Sequence, residues 1–322
     1  MAHNINSMAY YGERPWHGMG SEIPERATAE EMITASGLNW KVEARPARGA
    51  RKDRKGRYSR YEIVRLPRDE ANESETLLGA VSKYYTPLQN ADAFAFFDPV
   101  VGESMACFET AGALGEGECI WTLAKLPEVM EIVPGDICMR YLLLSNRHDG
   151  KGSVTVKFTA IRVVCQNTLM LAHQDGQAAY RVRHSKAMPE RLAEIGNIMR
   201  TAHQLYEQCG KVFKQMAHTA LHRNRLDTFL EAVYPRSEAQ KKTGTRPEKW
   251  RHIDRLLEEA PDLQGNSVRG TVWAAYNAIT HYEDYRPSRT PEDGSVRLNR
   301  VWFGSSATVK LNALNSALKL IA

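Results

Sequence analysis

The chain has 322 residues, enough to bury a sizeable core as one large domain or as two, and its 43% hydrophobic and 25% charged residues are the balance of an ordinary globular protein. No apolar run approaches the roughly 18 residues that a membrane-spanning helix needs, so no membrane partner is expected. The net charge of +5 is mild, and its placement along the chain is more informative than its size.

The opening MAHNINSMAYYGERPWHG lacks a charged start followed by an apolar core, which predicts no secretory signal and a cytoplasmic location. Five cysteines (Cys107, Cys119, Cys138, Cys165, Cys209) are odd in number and contain no Cys-x-x-Cys pair, so neither a disulfide framework nor a zinc ribbon is expected.

Residues 1–27 show no periodicity and hold Gly12, Pro15, Gly18, Gly20 and Pro24, the pattern of an ordered arm or loop. Thr28 followed by Glu31 is a capping-box pair that opens a short helix, and Gly37 stops it. Strands are predicted over 40–47, 58–66 and 77–85, then a helix over 91–99. Two hairpins follow, 105–125 around Gly115-Glu116-Gly117 and 139–164 around Asp149-Gly150, a strong turn pair between β-rich runs. The second strand of the latter is expected to lead into a helix that starts at Cys165, with Asn167 or Thr168 as its cap.

From Pro189 onward apolar positions fall at 192, 195, 199, 202, 206, 209, 213, 216 and 220. This heptad seam predicts one long helix, on the order of 45 Å. Further helices are predicted at 225–234, 248–259, 268–284 and 305–321, with exposed loops at 235–247 and 286–297. The fold class is therefore α+β: antiparallel hairpins with short helices in the N-terminal part, followed by a helical C-terminal part with one long helix. The expected division is an α+β domain over 1–188 and a helical region over 189–322, free to pack on the first as one unit.

The densest chemical signal lies between the first two of the three strands. Arg45, Arg48, Arg51, Lys52, Arg54, Lys55, Arg57, Arg60, Arg65 and Arg68 face only Asp53 and Glu62, a local net charge of +8. Crowded cations of this kind are relieved by a polyanion that releases its counterions on binding. Tyr58 and Tyr61 among them are positioned to stack on bases. Residues 103–136 run the opposite way, at −6, and can pair with the basic stretch inside a subunit or between subunits of a homo-oligomer.

Cys165, Asn167 and His17 suit a thiol activated by imidazole and oriented by an amide, although a small buried cysteine at a strand end accounts for the same residues. His148-Asp149 at a turn lacks a second cluster of metal-ligand spacing, and the glycine pairs lack the phosphate-loop pattern. Neither a cofactor nor a metal is expected.

Arg162-Val163-Val164-Cys165-Gln166-Asn167-Thr168-Leu169 resembles the signature of a phage and plasmid-like protein family that carries domain of unknown function 932. Pro15-Trp16-His17-Gly18-Met19-Gly20, Tyr85-Thr86-Pro87-Leu88-Gln89-Asn90, Glu109-Thr110-Ala111-Gly112-Ala113-Leu114, the stretch from Trp273 to Tyr282, and Trp302-Phe303-Gly304-Ser305 are similar too, in the same order. The resemblance implies a mobile-element setting and marks Trp16, His17, Arg162, Cys165, Gln166, Asn167 and Thr168 as family-motif positions. Taken with the basic stretch, it leads to the expectation of a non-catalytic protein that binds single-stranded DNA in phage or plasmid DNA metabolism, in recombination or annealing. The contacts are expected at Arg48, Arg51, Lys52, Arg54, Lys55, Arg57, Tyr58 and Arg60. The alternatives are a cysteine/histidine-dependent hydrolase and a structural or host-interaction protein that self-associates through the long helix.

Overall fold

The computed structural model describes residues 5–12, 19–69, 71–101, 106–162, 167–170, 180–199, 202–265, 267–286, 300–302 and 304–322, with 99–100, 167–170, 196–199 and 202–203 described as backbone only. The chain divides into two compact units. The first comprises Met1–Pro127, Tyr141–Lys157 and Ala179–Ala202, and the second Glu128–Arg140, Phe158–Ala178 and His203–Ala322. Residue 188 therefore falls inside the third stretch of the first unit. The architecture is α+β, strands and short helices first and helices after.

The first unit opens with β1 (Ile5–Tyr10) and β2 (Ser21–Glu22). An arm was expected here, yet β1 pairs with β6 (Cys107–Leu114) and β2 runs parallel to it. The strand was invisible because INSMAY does not alternate: Ile5, Met8, Ala9 and Tyr10 are all buried, as befits a strand flanked on both edges. Helix α1 (Ala29–Ala35) has the predicted capping box, with Thr28 Oγ1 accepting from the Glu31 amide while the Glu31 carboxylate accepts from the Thr28 amide. Strands β3 (Val42–Pro46), β4 (Arg60–Arg65) and β5 (Thr76–Ser82) form a separate antiparallel sheet in that order.

The predicted helix over 91–99 is two pieces, α2 (Asn90–Ala95) and α3 (Asp98–Val101). Pro99 fits the first turn of the second piece, where its missing N–H is not needed. Strands β7 (Cys119–Val133), β8 (Asp136–Arg147) and β9 (Val154–Arg162) complete the main sheet, and β11 (Tyr180–Val182) pairs with the start of β9. Both predicted hairpins are present. In the 148–150 turn, Gly150 sits at φ +74° and Asp149 Oδ1 accepts from the Lys151 amide.

In the second unit the chain after β9 turns back as β10 (Asn167–Met170), antiparallel to β9 with Asn167 opposite Arg162. Asn167 and Thr168 thus belong to a strand, and the helix cap expected of them is corrected: Thr168-Leu169-Met170 meets the free edge of β9, and ladder pairing there overrides the local capping preference. The predicted long helix is described as α4 (Met188–Met199), in the first unit, and α5 (Ala202–His218), in the second from His203 onward. Residues 200 and 201 lie outside the described residues.

Helices α6 (Arg223–Val233), α7 (Glu238–Thr243), α8 (Glu248–Glu259), α9 (Pro261–Gln264), α10 (Val272–Tyr285) and α11 (Ser305–Ile321) follow. Helix α7 corrects the loop expected at 235–247. Ser237 and Gln240 form a capping box, and Gly244 closes the helix at φ +66°. The loop expected at 286–297 falls outside the described residues apart from Arg286.

The core of this unit is built around α10, which is apolar nearly all round and correspondingly buried. Phe213 of α5 packs on Trp273 at 5.0 Å and stacks on Tyr276, and the Tyr206 hydroxyl donates to the Thr159 carbonyl. The seam residues of α5 are therefore used inside this unit.

Candidate nucleic-acid interface

Strands β3 and β4 pair from Val42 opposite Arg65 to Pro46 opposite Tyr61, and the basic segment joins them. It is not a slack loop. The Ala47 amide donates to the Arg60 carbonyl, Ser59 to Arg51 and Asp53 to Arg57, while Lys52 and Tyr58 form a β-bridge. The Gly56 amide closes the tip on the Asp53 carbonyl at 2.9 Å, and Gly56 takes φ +73°, a left-handed value that side chains with a Cβ disfavour. The segment is a finger that continues the hairpin.

One carboxylate fastens it. Asp53 Oδ1 accepts from the backbone amides of Lys55 and Arg57, and Oδ2 accepts from Lys83 Nζ at 2.8 Å and Arg57 Nε at 3.2 Å. The Lys83 ammonium, then the Arg57 amide, hold the Asp53 carboxyl well below the usual carboxylate range. Lys83 follows β5, so the tip of the finger is tied to the far strand of the same sheet.

The ten cations separate into two groups. Arg45 lies between Glu43 and Glu75, Arg57 on Asp53, and Arg68 on Glu73. Arg65 covers the Trp40 ring at 4.8 Å and donates to the Glu116 carbonyl. Arg48, Arg51, Lys52, Arg54, Lys55 and Arg60 are exposed, and among the described residues none has a carboxylate within ion-pair distance. Tyr58 and Tyr61 are half-buried, edge to face at 6.3 Å, and Lys52 Nζ stands 5.0 Å above the Tyr58 ring. Their rings are partly engaged with each other and with Lys52.

Among the described residues of the first unit, no carboxylate of the acidic stretch forms an ion pair with the finger. Glu109 accepts from the Tyr141 hydroxyl, and Glu118 folds onto the Glu116 amide. In the second unit Glu128 pairs with Arg140 at 2.6 Å and Asp136 with Arg162.

Of the family-motif positions, Trp16, His17, Cys165 and Gln166 lie outside the described residues, and Asn167 and Thr168 are strand backbone. Arg162 belongs to a buried network in the second unit. Its Nε and Nη2 grip both oxygens of Asp136 at 2.7 and 2.8 Å, Nη1 donates to Asp262 Oδ2 at 2.7 Å, and Trp273 Nε1 adds a third donor on Asp136. This bidentate arrangement is architectural: it joins β9, the start of β8, α9 and α10.

The charge pattern marks the finger but not its fastening. The strand predicted over 77–85 takes in Lys83, whereas β5 ends at Ser82. The signal was the polar Ser82-Lys83 step before Tyr84-Tyr85, which breaks the alternation of a strand.

Fold and site together define an α+β protein that presents a basic β-finger. Residues 77–302 match the family model described as Domain of unknown function (DUF932), more than half of the chain, so the chain belongs to that family. The finger lies before the matched span, whereas Arg162 and Lys83 lie within it. No curated protein and no solved structure matched the chain.

Proposed function

We propose that the protein is a cytoplasmic, non-catalytic binder of single-stranded DNA, acting in phage or plasmid DNA transactions such as recombination or annealing, with the finger as its contact surface. The observation that carries this reading is the group of six exposed cations, Arg48, Arg51, Lys52, Arg54, Lys55 and Arg60, which among the described residues have no carboxylate within ion-pair distance, on a finger held by its own backbone hydrogen bonds. Phosphates neutralise such a group and release counterions, and nearby aromatic rings favour strands whose bases are unpaired. Self-association through the heptad seam has less support, because Tyr206, Phe213 and Met216 are buried.

The test is fluorescence anisotropy with labelled single-stranded and duplex oligonucleotides over a salt series. If all six cations meet phosphates, the logarithmic salt slope for single strands is about −4, from roughly 0.7 per contact. Alanine at the six positions, with Arg57 left on Asp53, should flatten that slope and weaken binding by more than ten-fold. Wild-type affinity in the six-fold variant would remove the finger as the contact surface.

A further inference from the structure

Beside the finger, one aromatic ring stands in solvent where the fold holds both of its neighbours. Tyr84 is 67% exposed, the largest value among the exposed large hydrophobic side chains described. It follows β5 in a turn in which the Tyr85 amide donates to the Ser82 carbonyl and the Tyr84 amide to Ser82 Oγ. On one side Lys83 is fixed to Asp53 at the finger tip. On the other, Tyr85 is drawn inward, its hydroxyl donating to the Arg147 carbonyl and its ring stacked on His184 at 4.4 Å. Lys83 Nζ also lies 5.4 Å from the centre of the Tyr84 ring.

The register places this ring at the base of the finger. Ser82 is the Cα partner of Arg60, so the turn at 83–84 continues from the point where the finger begins. An exposed ring on an anchored turn, at the foot of a finger whose six exposed cations have no carboxylate within ion-pair distance among the described residues, has the two parts of a single-strand site: a sequence-tolerant π-face and a positive track for the backbone. A ring presented this way loses little freedom on binding.

We infer that Tyr84 is the stacking platform of the interface, taking one unpaired base of a single strand whose phosphates lie on the finger cations. The inference rests on the proposed function and adds to it the residue that separates single strands from duplex. Duplex DNA keeps its bases stacked on one another and offers this ring no face.

The test uses the full-length protein with two substitutions, Tyr84→Ala and Tyr84→Phe, against a single strand, the same strand with abasic sites, and the duplex. Tyr84→Ala should weaken single-strand binding by about ten-fold, within the range of one base–aromatic stack, with the salt slope unchanged. Tyr84→Phe should bind as wild type, and duplex affinity should not move. The penalty for abasic sites seen with the wild type should vanish in Tyr84→Ala. Because the side chain is exposed, circular dichroism should show both variants folded. Wild-type single-strand affinity in Tyr84→Ala, or equal losses for single strand and duplex, overturns the platform. If the six-fold finger variant is still impaired in either case, the proposed function survives; if that variant binds normally, the function itself fails.

Discussion

Removing the Arg162 side chain would strand two carboxylates at once. Asp136 is 5% exposed and receives a two-pronged grip from the guanidinium, with Trp273 as its other donor in the same network. Breaking one side of a buried ion pair costs far more than the pair contributes, because the remaining charge has no water to return to. Arg162→Ala should therefore lower unfolding free energy by about 3–5 kcal/mol, read from urea denaturation. Arg162→Lys should recover only part of it, since an ammonium cannot span both oxygens of Asp136 while also reaching Asp262. A loss under 1 kcal/mol would mean that the carboxylates find other partners.

His148 makes a second residue-scale prediction. Asn90 Nδ2 donates to the Leu38 carbonyl, which leaves Asn90 Oδ1 to accept from His148 Nε2 at 2.9 Å, and the imidazole is fully buried and neutral. Burial pushes its pKa down to about 3 from 6.5, with His184 acting in the same direction. Between those values the unfolded chain binds a proton that the folded chain refuses. Stability is intact above pH 6.5 and falls as pH drops toward 3, by about 1.4 kcal/mol per unit from this residue. Urea midpoints at pH 7, 6 and 5 should show the decline, and His148→Gln should flatten it; an equal decline in the variant would assign it elsewhere.

At the scale of elements, the strand pairing of the first unit depends on one missing side chain. A Cβ on Gly112 of β6 would press into the Trp121 ring and come within 2.5 Å of the Ser7 carbonyl on β1. Both neighbours are fixed by the sheet, so Gly112→Ala should destabilise by about 1–3 kcal/mol through overpacking, measured by thermal or urea unfolding. Trp121→Phe in the same background should restore part of the loss by vacating the space. How legible such elements were depended on whether the cause was local. The α1 cap and the 148–150 turn are written in four or five consecutive residues, and both were read from them. Strand β1 and strand β10 exist because a partner strand offers an edge, and the α7 capping box was overlooked within a polar run taken as a loop.

For the whole molecule, composition and periodicity reached the fold class because strand-rich and helix-rich stretches follow one another along the chain. They did not reach the division into units, since each unit collects three stretches and the chain passes between units within β7, β8 and β9. The candidate interface was partly legible for the same reason. Arg48 to Arg60 are contiguous and announce themselves by charge, whereas Lys83 and Tyr84 come from more than twenty residues later and reach the finger through the β4–β5 register and the Lys83–Asp53 bond. No helix is long and apolar enough to cross a membrane among the described residues.

Asp53 is a clasp that its own surroundings keep shut. The cations it restrains are what make protonating it difficult, so mild acid leaves the fingertip closed. What opens it is loss of a partner, the Lys83 ammonium above all, rather than a modest change of pH.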